Sequence, residues 1–456
     1  MKRRSAYIIR IAFSAAIGGF LLGFDGSVIS GALPFYKLVF GLSEGSILLG
    51  FSVSCIIWGA IFGNLIAGQL SDRYGRKKAL YISAILFACT GLICALSNNI
   101  WVFIFGRIVG GVGVGIAILV APVYIAEIAP AKSRGSLVSF NQLLIVIGLS
   151  AAYFSNYFIL KAVKDPLLNW RWMLGVESFP AILYLIAIFF IPESPRWLIM
   201  QGNEEKGLTI LKKVDGEHHA QSEYTEIKKS IGTKTDKNLF KLIRELFSGK
   251  MKKVLIIGFG LGILQQFSGI NAILYYAPMV FESAGGGRNA AFLQAVILGI
   301  VFVIMTIVSM FLIDRVGRKP LLYTGVTMMA LSLSVTGFLF RENGNIPIHS
   351  TAVLFSILGF IAGFSISLGP VMWAMFAEIF PNKLRGFAIS VVGASNAIAS
   401  FLVATFFPYQ LTTFGKSATY FIYAFLMFFC LWFIKRFVVE TRGKSLEQIE
   451  SELIKV

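Results

Sequence analysis

Twelve times along the chain the sequence stays apolar for close to the ~20 residues that carry a helix across a bilayer. These runs lie at 10–33, 47–69, 79–97, 102–126, 136–160, 173–191, 253–281, 290–313, 321–340, 352–376, 387–408 and 417–437. Inside hydrocarbon every backbone N–H and C=O must be satisfied by the segment itself, so uninterrupted apolar runs of this length predict membrane-spanning helices. Composition agrees: 56% of residues are hydrophobic and 14% charged, against roughly 25% charged in a soluble domain. The 45 glycines suit helices packed backbone to backbone in lipid. A set of soluble domains, a disordered chain, a collagen and a secreted disulfide scaffold are excluded together. Cys55, Cys89, Cys94 and Cys430 all fall inside runs and read as small apolar residues, with no disulfide or redox context.

The net charge of +18 would suggest nucleic acid in a soluble protein; its distribution points elsewhere, and no nucleic-acid partner is expected. With the N-terminus inside, 33 of the 41 Lys and Arg fall in cytoplasmic segments, seven in outer loops, and Arg107 alone in a span. That bias predicts a multi-pass cell-membrane protein, bacterial inner membrane by expectation, with both termini cytoplasmic. The start, Lys2-Arg3-Arg4 before an apolar run, is not read as a signal peptide, because the run is long, carries Asp25 and lacks a small-residue cleavage site.

Two internal repeats divide the chain. DRYGRKK at 72–78 returns as DRVGRKP at 314–320, and AEIAPAKSRG at 126–135 returns as AEIFPNKLRG at 377–386. Each sits at the inner end of an equivalent span, so the expected fold is all-α, with twelve transmembrane helices in two pseudo-symmetric six-helix halves. The expected division is 1–191 for the first half, 192–252 for a cytoplasmic linker, 253–438 for the second half and 439–456 for a cytoplasmic tail. Within the linker, Leu208, Leu211 and Val214 and then Phe240, Ile243 and Phe247 recur at helical spacing among Lys and Glu, predicting short amphipathic helices. Parallel repeats of this kind are the pattern of transporters that bind at the bilayer midplane and work by alternating access.

An ionisable group in mid-membrane costs roughly 2.5 to 3.5 kcal/mol on insertion scales and is a functional candidate by default. Asp25, about 15 residues into the first span, and Arg107, opening the glycine-rich stretch of the fourth, are such groups. Burial disfavours an ionised Asp and a nearby guanidinium favours it, so a pair in contact can change its proton occupancy as its surroundings open and close. A static ion pair aligning two helices is the other reading of the same residues. Amides at membrane depth, Gln142, Gln265, Gln266 and Asn271, both donate and accept hydrogen bonds, and Trp373 offers an aromatic face. Interhelical hydrogen bonding is their alternative role. Gln266 and Asn271 are five apart, off one helical face; Gly269 between them permits a local break that would bring both toward one ligand.

The motifs DRYGRKK, DRVGRKP, PESPRW at 192–197, RIVGGVGVG at 107–115, QQFSGINAILYYAP at 265–278, GPVMWAMFAEIFPNKLRG at 369–386 and VETRGKSLE at 439–447 resemble those of the sugar porter family of the major facilitator superfamily, over nearly the whole chain. The resemblance is to bacterial xylose and proton symporters and to facilitative glucose carriers. It implies proton coupling through Asp25 facing Arg107, with Glu177 of the sixth span a further acid of that set. It also implies sugar contacts from Gln142, Gln265, Gln266, Asn271 and Trp373. Three positions depart from the family: Phe302 where glucose and xylose carriers place an Asn, Ala397 where they place a Trp, and Leu149 where the xylose symporter has a second Gln. The inner motifs read as gate hardware, with Asp72, Glu127, Asp314 and Glu378 set against Arg73, Arg76, Arg134, Arg315, Arg318 and Arg385, joined by Glu193, Arg196 and Glu440. Arg suits such pairs through its bidentate fork; anchoring of helix ends at the interface is the plainer alternative.

No Walker A loop occurs, since Gln410 and Val438 stand where its leading glycine would be, and the three histidines, His218, His219 and His349, have no zinc spacing. No enzyme, metal site or cofactor is expected. The expected function is import of a monosaccharide, hexose or pentose, with protons, by a monomer in the bilayer. A facilitative uniporter and a non-transporting sugar sensor are the alternatives; against the sensor stands a tail of only 18 residues after Val438.

Overall fold

The computed structural model describes residues 2–130, 134–231, 239–341, 349–381, 384–444 and 446–453, and among these the regular structure is entirely helical. Eleven helical stretches are long and apolar enough to cross a membrane: Tyr7–Val39, Ile47–Tyr74, Arg76–Leu96, Ile100–Ile128, Gly135–Ala162, Pro166–Phe189, Gly249–Val316, Arg318–Leu339, Ser350–Ile379, Arg385–Thr413 and Lys416–Phe437. Gly249–Val316 has 68 residues, about three times the length a bilayer needs. It is broken at Gly269 and Gly285, both with positive φ, and holds two spans, the seventh (Lys252–Gln266 with Ile270–Phe281) and the eighth (Gly287–Val316). The molecule is therefore an all-α membrane protein of twelve spans in two six-span halves.

Among the described residues three spans are discontinuous. The sixth breaks between Pro166–Gly175 and Ser178–Phe189, the seventh at Phe267–Gly269, and the tenth at Ser367, between Ser350–Ile366 and Leu368–Ile379. Broken helices free backbone groups that lipid cannot satisfy, so they persist only where protein or a water-filled cavity surrounds them.

Two compact units emerge from the packing. One comprises Met1–Ala32 and Cys55–Asp236, the other Leu33–Ser54 and Lys237–Val456. In lipid a Phe not covered by protein meets hydrocarbon instead of water, so helix packing relies on close contact more than on transfer from water. The first unit shows this plainly. A Cβ at Gly59, Gly63, Gly111 or Gly115 would collide with the backbone of the facing helix, so the second and fourth spans meet main chain to main chain. The glycine-rich run after Arg107 is thus a packing surface. Ala84 and Phe87 of the third span, Ala117 and Val120 of the fourth and Tyr184 of the sixth fill the core beside Ala15 and Ala16 of the first.

In the second unit Gly325 and Gly363 bring the ninth and tenth spans together in the same way. The end of the first span and the start of the second pack here: Phe51 meets Phe401 edge-on at 6.1 Å, and the hydroxyls of Ser54 and Thr405 are hydrogen-bonded at 2.6 Å.

The linker forms helices, as its periodicity predicts. Glu204–Asp215 carries Glu204 and Glu205 in its first turn and Lys212 and Lys213 in its last, both favourable to the helix dipole, and ends at Gly216. Its Leu211 packs with Ile199, Ala220 and Ile227 of the neighbouring helices, with Leu208 at the margin, while Val214 enters the main core of the first unit. In Leu239–Leu246 it is Leu246 that is buried. Ile243 and Phe247 stay exposed, and the side chain of Phe240 lies outside the described residues.

Candidate functional site

In the first unit, Asp25 and Arg107 meet. Both side chains are almost wholly buried, at 0% and 1% exposure. Arg107 Nη1 donates to Asp25 Oδ1 and, at 3.3 Å, to the Asp25 carbonyl oxygen. The pairing leaves Asp25 Oδ2 and Arg107 Nε and Nη2 buried without a partner. A buried pair compensates its desolvation only when its remaining atoms are also bonded, so this one is under-satisfied as it stands. Glu177 sits at the break of the sixth span, 1% exposed, and its Oε1 is likewise unpartnered. It makes no ion pair with Arg107 among the described residues.

The second unit gathers the amides. Gly269 holds φ +83°, the left-handed region that admits glycine readily, and breaks the seventh span between Gln266 and Asn271. Asn271 Nδ2 consequently donates to Gln266 Oε1 at 2.9 Å and to Ser400 Oγ at 2.6 Å. Gln266 Nε2 donates to Gln265 Oε1 at 3.1 Å and Asn396 Oδ1 at 3.2 Å. Asn396 Nδ2 donates to Gln265 Oε1 at 2.8 Å and to the Gly262 carbonyl at 2.7 Å, and Gln265 Nε2 to the Leu368 carbonyl at 2.8 Å. The contacts fix which end of each amide is donor and which is acceptor.

Asn396 and Ser400 were not singled out from sequence. Their signal was a polar pair at i, i+4 in the eleventh span, bracketing Ala397, in a run otherwise read for what it lacks. Ala397 is half-buried beside Asn396. Trp373 is 44% exposed and lies edge-on to Phe376 at 5.7 Å. Phe302, 8% exposed, meets Phe364 at 6.3 Å. Gln142, in the first unit, is exposed; Leu149 is buried.

The repeated motifs build two matching clusters, one per unit. Arg76 grips Glu127 through Nε at 2.9 Å and Nη2 at 3.0 Å, and reaches Asp72 at 3.1 Å. Arg318 does the same with Glu378, at 3.2 and 2.9 Å, and Asp314, at 3.4 Å. Glu193 accepts from the backbone N–H of Lys77 at 3.1 Å, and Glu440 from those of Arg318 and Lys319 at 3.0 and 2.9 Å. Each carboxylate thereby caps the helix that opens after Gly75 or Gly317, at φ +96° and +103°. Burial pushes the Glu193 carboxyl above its usual range despite these donors. Burial pushes Glu440 up too, but the N–H groups of Arg442, Arg318, Lys319 and Thr441 outweigh it and hold the carboxyl below that range. Arg73, Arg196 and Arg315 are exposed and join no ion pair among the described residues, Arg385 bonds the Phe380 carbonyl at 3.3 Å, and the side chain of Arg134 lies outside the described residues.

A broken-helix bundle with a buried ion pair, an amide cluster and duplicated charge clusters at helix ends defines a multi-pass membrane transporter. The chain belongs to the sugar transporter family: the model of "Sugar (and other) transporter" matches residues 11–453. It is 37% identical to the arabinose-proton symporter of Bacillus subtilis, over 98% of this chain and 96% of that one. It is also 37% identical to the D-xylose-proton symporter of Escherichia coli, with the same coverage. The inward-open structure of the E. coli xylose transporter XylE superposes with a TM-score of 0.86 at 36% identity, covering 98% of this chain and all of that one. Proteins of this family are transporters, not enzymes.

Proposed function

We propose that this protein imports a monosaccharide by alternating access, coupled to proton symport through Asp25 and Arg107, as a monomer in a cell membrane with both termini cytoplasmic. The observation that carries the proton role is the buried pair with one carboxylate oxygen and two guanidinium nitrogens left over. A pair serving only to align helices would gain from satisfying those atoms; one that exchanges a proton needs Oδ2 free to receive it. Protonation removes the charge that holds Arg107, which is then free to take other partners.

Sugar recognition falls in this reading to Gln265, Gln266 and Asn271, with Asn396 and Ser400 setting their orientation and Trp373 offering a ring face. Gln142 is a further sugar-contacting residue in this reading, and Phe302 and Ala397 mark where the pocket is less polar and wider. The similarity to symporters of arabinose and xylose supports a pentose or hexose. Glu177 is the second acid of the proton set. The Arg76 and Arg318 clusters act as inner gate elements.

One proton falling through 100 mV supplies about 2.3 kcal/mol, roughly 50-fold accumulation. The test is uptake of labelled sugars into proteoliposomes with and without an imposed pH gradient: accumulation above equilibrium only with the gradient is expected. Equal uptake in both would leave facilitated diffusion as the activity.

A further inference from the structure

The seventh span opens on charge and then presents a single uncovered face. Of Lys252–Gln266 only Lys252, Lys253, Ile256, Phe259, Gly260 and Ile263 are not buried, and at 3.6 residues per turn all six fall within about a third of the helix circumference. The remainder of this helix packs on protein, so the stripe is where it meets hydrocarbon. The two lysines stand at the polar end of that stripe, where a long stem can lie along apolar surface while its ammonium reaches the headgroups.

The chain that leads into this span carries the same two elements, apolar surface and positive charge. Leu239–Leu246 is followed by the tight turn Gly249–Met251, and Leu246 and Met251, at 0% and 3% exposure, lay the segment against protein. Ile243 and Phe247, one turn apart, stay 39% and 56% exposed, with exposed Arg244 beside them. From Ile243 to Lys253 the cations Arg244, Lys250, Lys252 and Lys253 stand against Glu245 alone. All four are exposed, and none joins an ion pair among the described residues. Lysines at the end of a span are ordinary in a membrane protein. They do not account for an apolar pair left uncovered so near the bilayer: the chain from Phe247 to Lys252 can span no more than about 18 Å. Apolar side chains flanked by cations are the pattern of a helix lying in the membrane interface.

We propose that this surface docks on anionic phospholipid of the surrounding bilayer. The headgroup phosphates pair with Arg244, Lys250, Lys252 and Lys253, Ile243 and Phe247 enter the layer beneath them, and the acyl chains follow Ile256, Phe259 and Ile263. Two features favour lipid as the occupant. The charge is complementary, and the exposed pair leads directly into the stripe that already faces hydrocarbon.

The test places a nitroxide at Ile243→Cys in a cysteine-free background and reads its collisions with oxygen, which concentrates in lipid, and with a nickel chelate, which stays in water. The full chain is held in nanodiscs of phosphatidylcholine, alone or mixed in equal parts with phosphatidylglycerol. In the mixture the label should be shielded from nickel and open to oxygen; in phosphatidylcholine alone it should face water. Lys252→Gln should lower the ratio of docked to undocked label about fivefold. Arg244→Gln, Lys250→Gln, Lys252→Gln and Lys253→Gln combined should abolish docking. A second nitroxide, at Ile256→Cys, should stay open to oxygen in both lipids and in every variant, reporting that the span is intact. Nickel access unchanged by phosphatidylglycerol, or docking that survives the loss of all four charges, would overturn the proposal. So would an Ile256 label open to nickel, or spin–spin broadening between Ile243 labels, which would seat a second copy of this chain on the face.

Discussion

At the scale of single residues, Asp25 and the amide cluster pose separate questions, because one concerns the proton and the other the sugar. Asp25→Asn keeps the shape and the hydrogen-bonding oxygen but cannot ionise. It should abolish accumulation driven by a pH gradient while leaving counterflow of labelled sugar intact; undiminished accumulation would exclude Asp25 from coupling. In the amide cluster, truncation strands partners. Gln266→Ala removes the acceptor of Asn271 and the donor to Asn396, and Asn396→Ala removes two donations and one acceptance. Each should cost about 1 to 3 kcal/mol of sugar binding, close to ten- to hundredfold in Kd by equilibrium titration. Wild-type affinity in both variants would place the sugar elsewhere. Gln265, Gln266 and Asn271 were legible from sequence because amides are conspicuous in a run of apolar residues. Asn396 was not, since its importance lies in which oxygens and nitrogens it meets, and those belong to a different span.

At the scale of elements, the break of the seventh span depends on one residue. A Cβ at Gly269 would carry the backbone penalty of φ +83° and press on the Tyr423 ring at 3.3 Å. Gly269→Ala should therefore lower the unfolding midpoint in detergent, by an effect on the order of 1 kcal/mol or more, and weaken sugar binding through the lost Gln266–Asn271 contact. Unchanged affinity would detach the break from the site. The helix caps give a pH dependence of opposite sign. Glu440 is held below the usual carboxylate range, so it stabilises the fold above that range, and its contribution is lost as pH falls through its lowered value. Glu193 is pushed above the range, so its ionisation in the fold is penalised: the penalty is absent at low pH and grows as pH rises through the window between its ordinary and raised values. Glu440→Gln should lower Tm at pH 7 more than Glu193→Gln does, and the difference should shrink at pH 4. Equal losses at both pH values would show that charge plays no part in the caps. Of the three broken spans, only the seventh announced itself, through Gly269. The breaks at Glu177 and Ser367 have only local marks, Gly175 and Pro180 around the first and Gly369-Pro370 just after the second, which by themselves fit an unbroken membrane helix as well, since Gly and Pro are common in such helices.

At the scale of the whole molecule, orientation is the property that the charge distribution predicts and that chemistry can check. In a cysteine-free background, single cysteines at Lys164 and Arg341 should react with an impermeant maleimide added outside intact cells, and cysteines at Lys78 and Lys206 only after permeabilisation. The reverse pattern would invert the topology. The inner clusters follow the repeat closely: Arg76 with Glu127 and Glu193 corresponds to Arg318 with Glu378 and Glu440, residue for residue. The repeats contain Asp72, Arg76 and Glu127 and their counterparts Asp314, Arg318 and Glu378, whereas Glu193 and Glu440 lie outside them, in PESPRW and VETRGKSLE. The pairings were not readable, because Arg73, Arg76 and Arg196 carry the same charge in similar settings, and only packing decides that Arg76 is enclosed while the other two face outward.

The spans, the two halves and the presence of mid-membrane charge follow from sequence alone, because lipid imposes a length and a composition on any segment that crosses it and an excess of Lys and Arg on one side. Where the halves part in space does not follow. Residues 33–54, continuous with the first two spans, pack in the second unit, through contacts such as Ser54 with Thr405 and Phe51 with Phe401. Those contacts join positions some 350 residues apart, and their strength depends on shape and proximity, which a pattern of apolar and polar letters does not encode. The same reason separates the amides that sequence could find from the network that only tertiary structure could assemble.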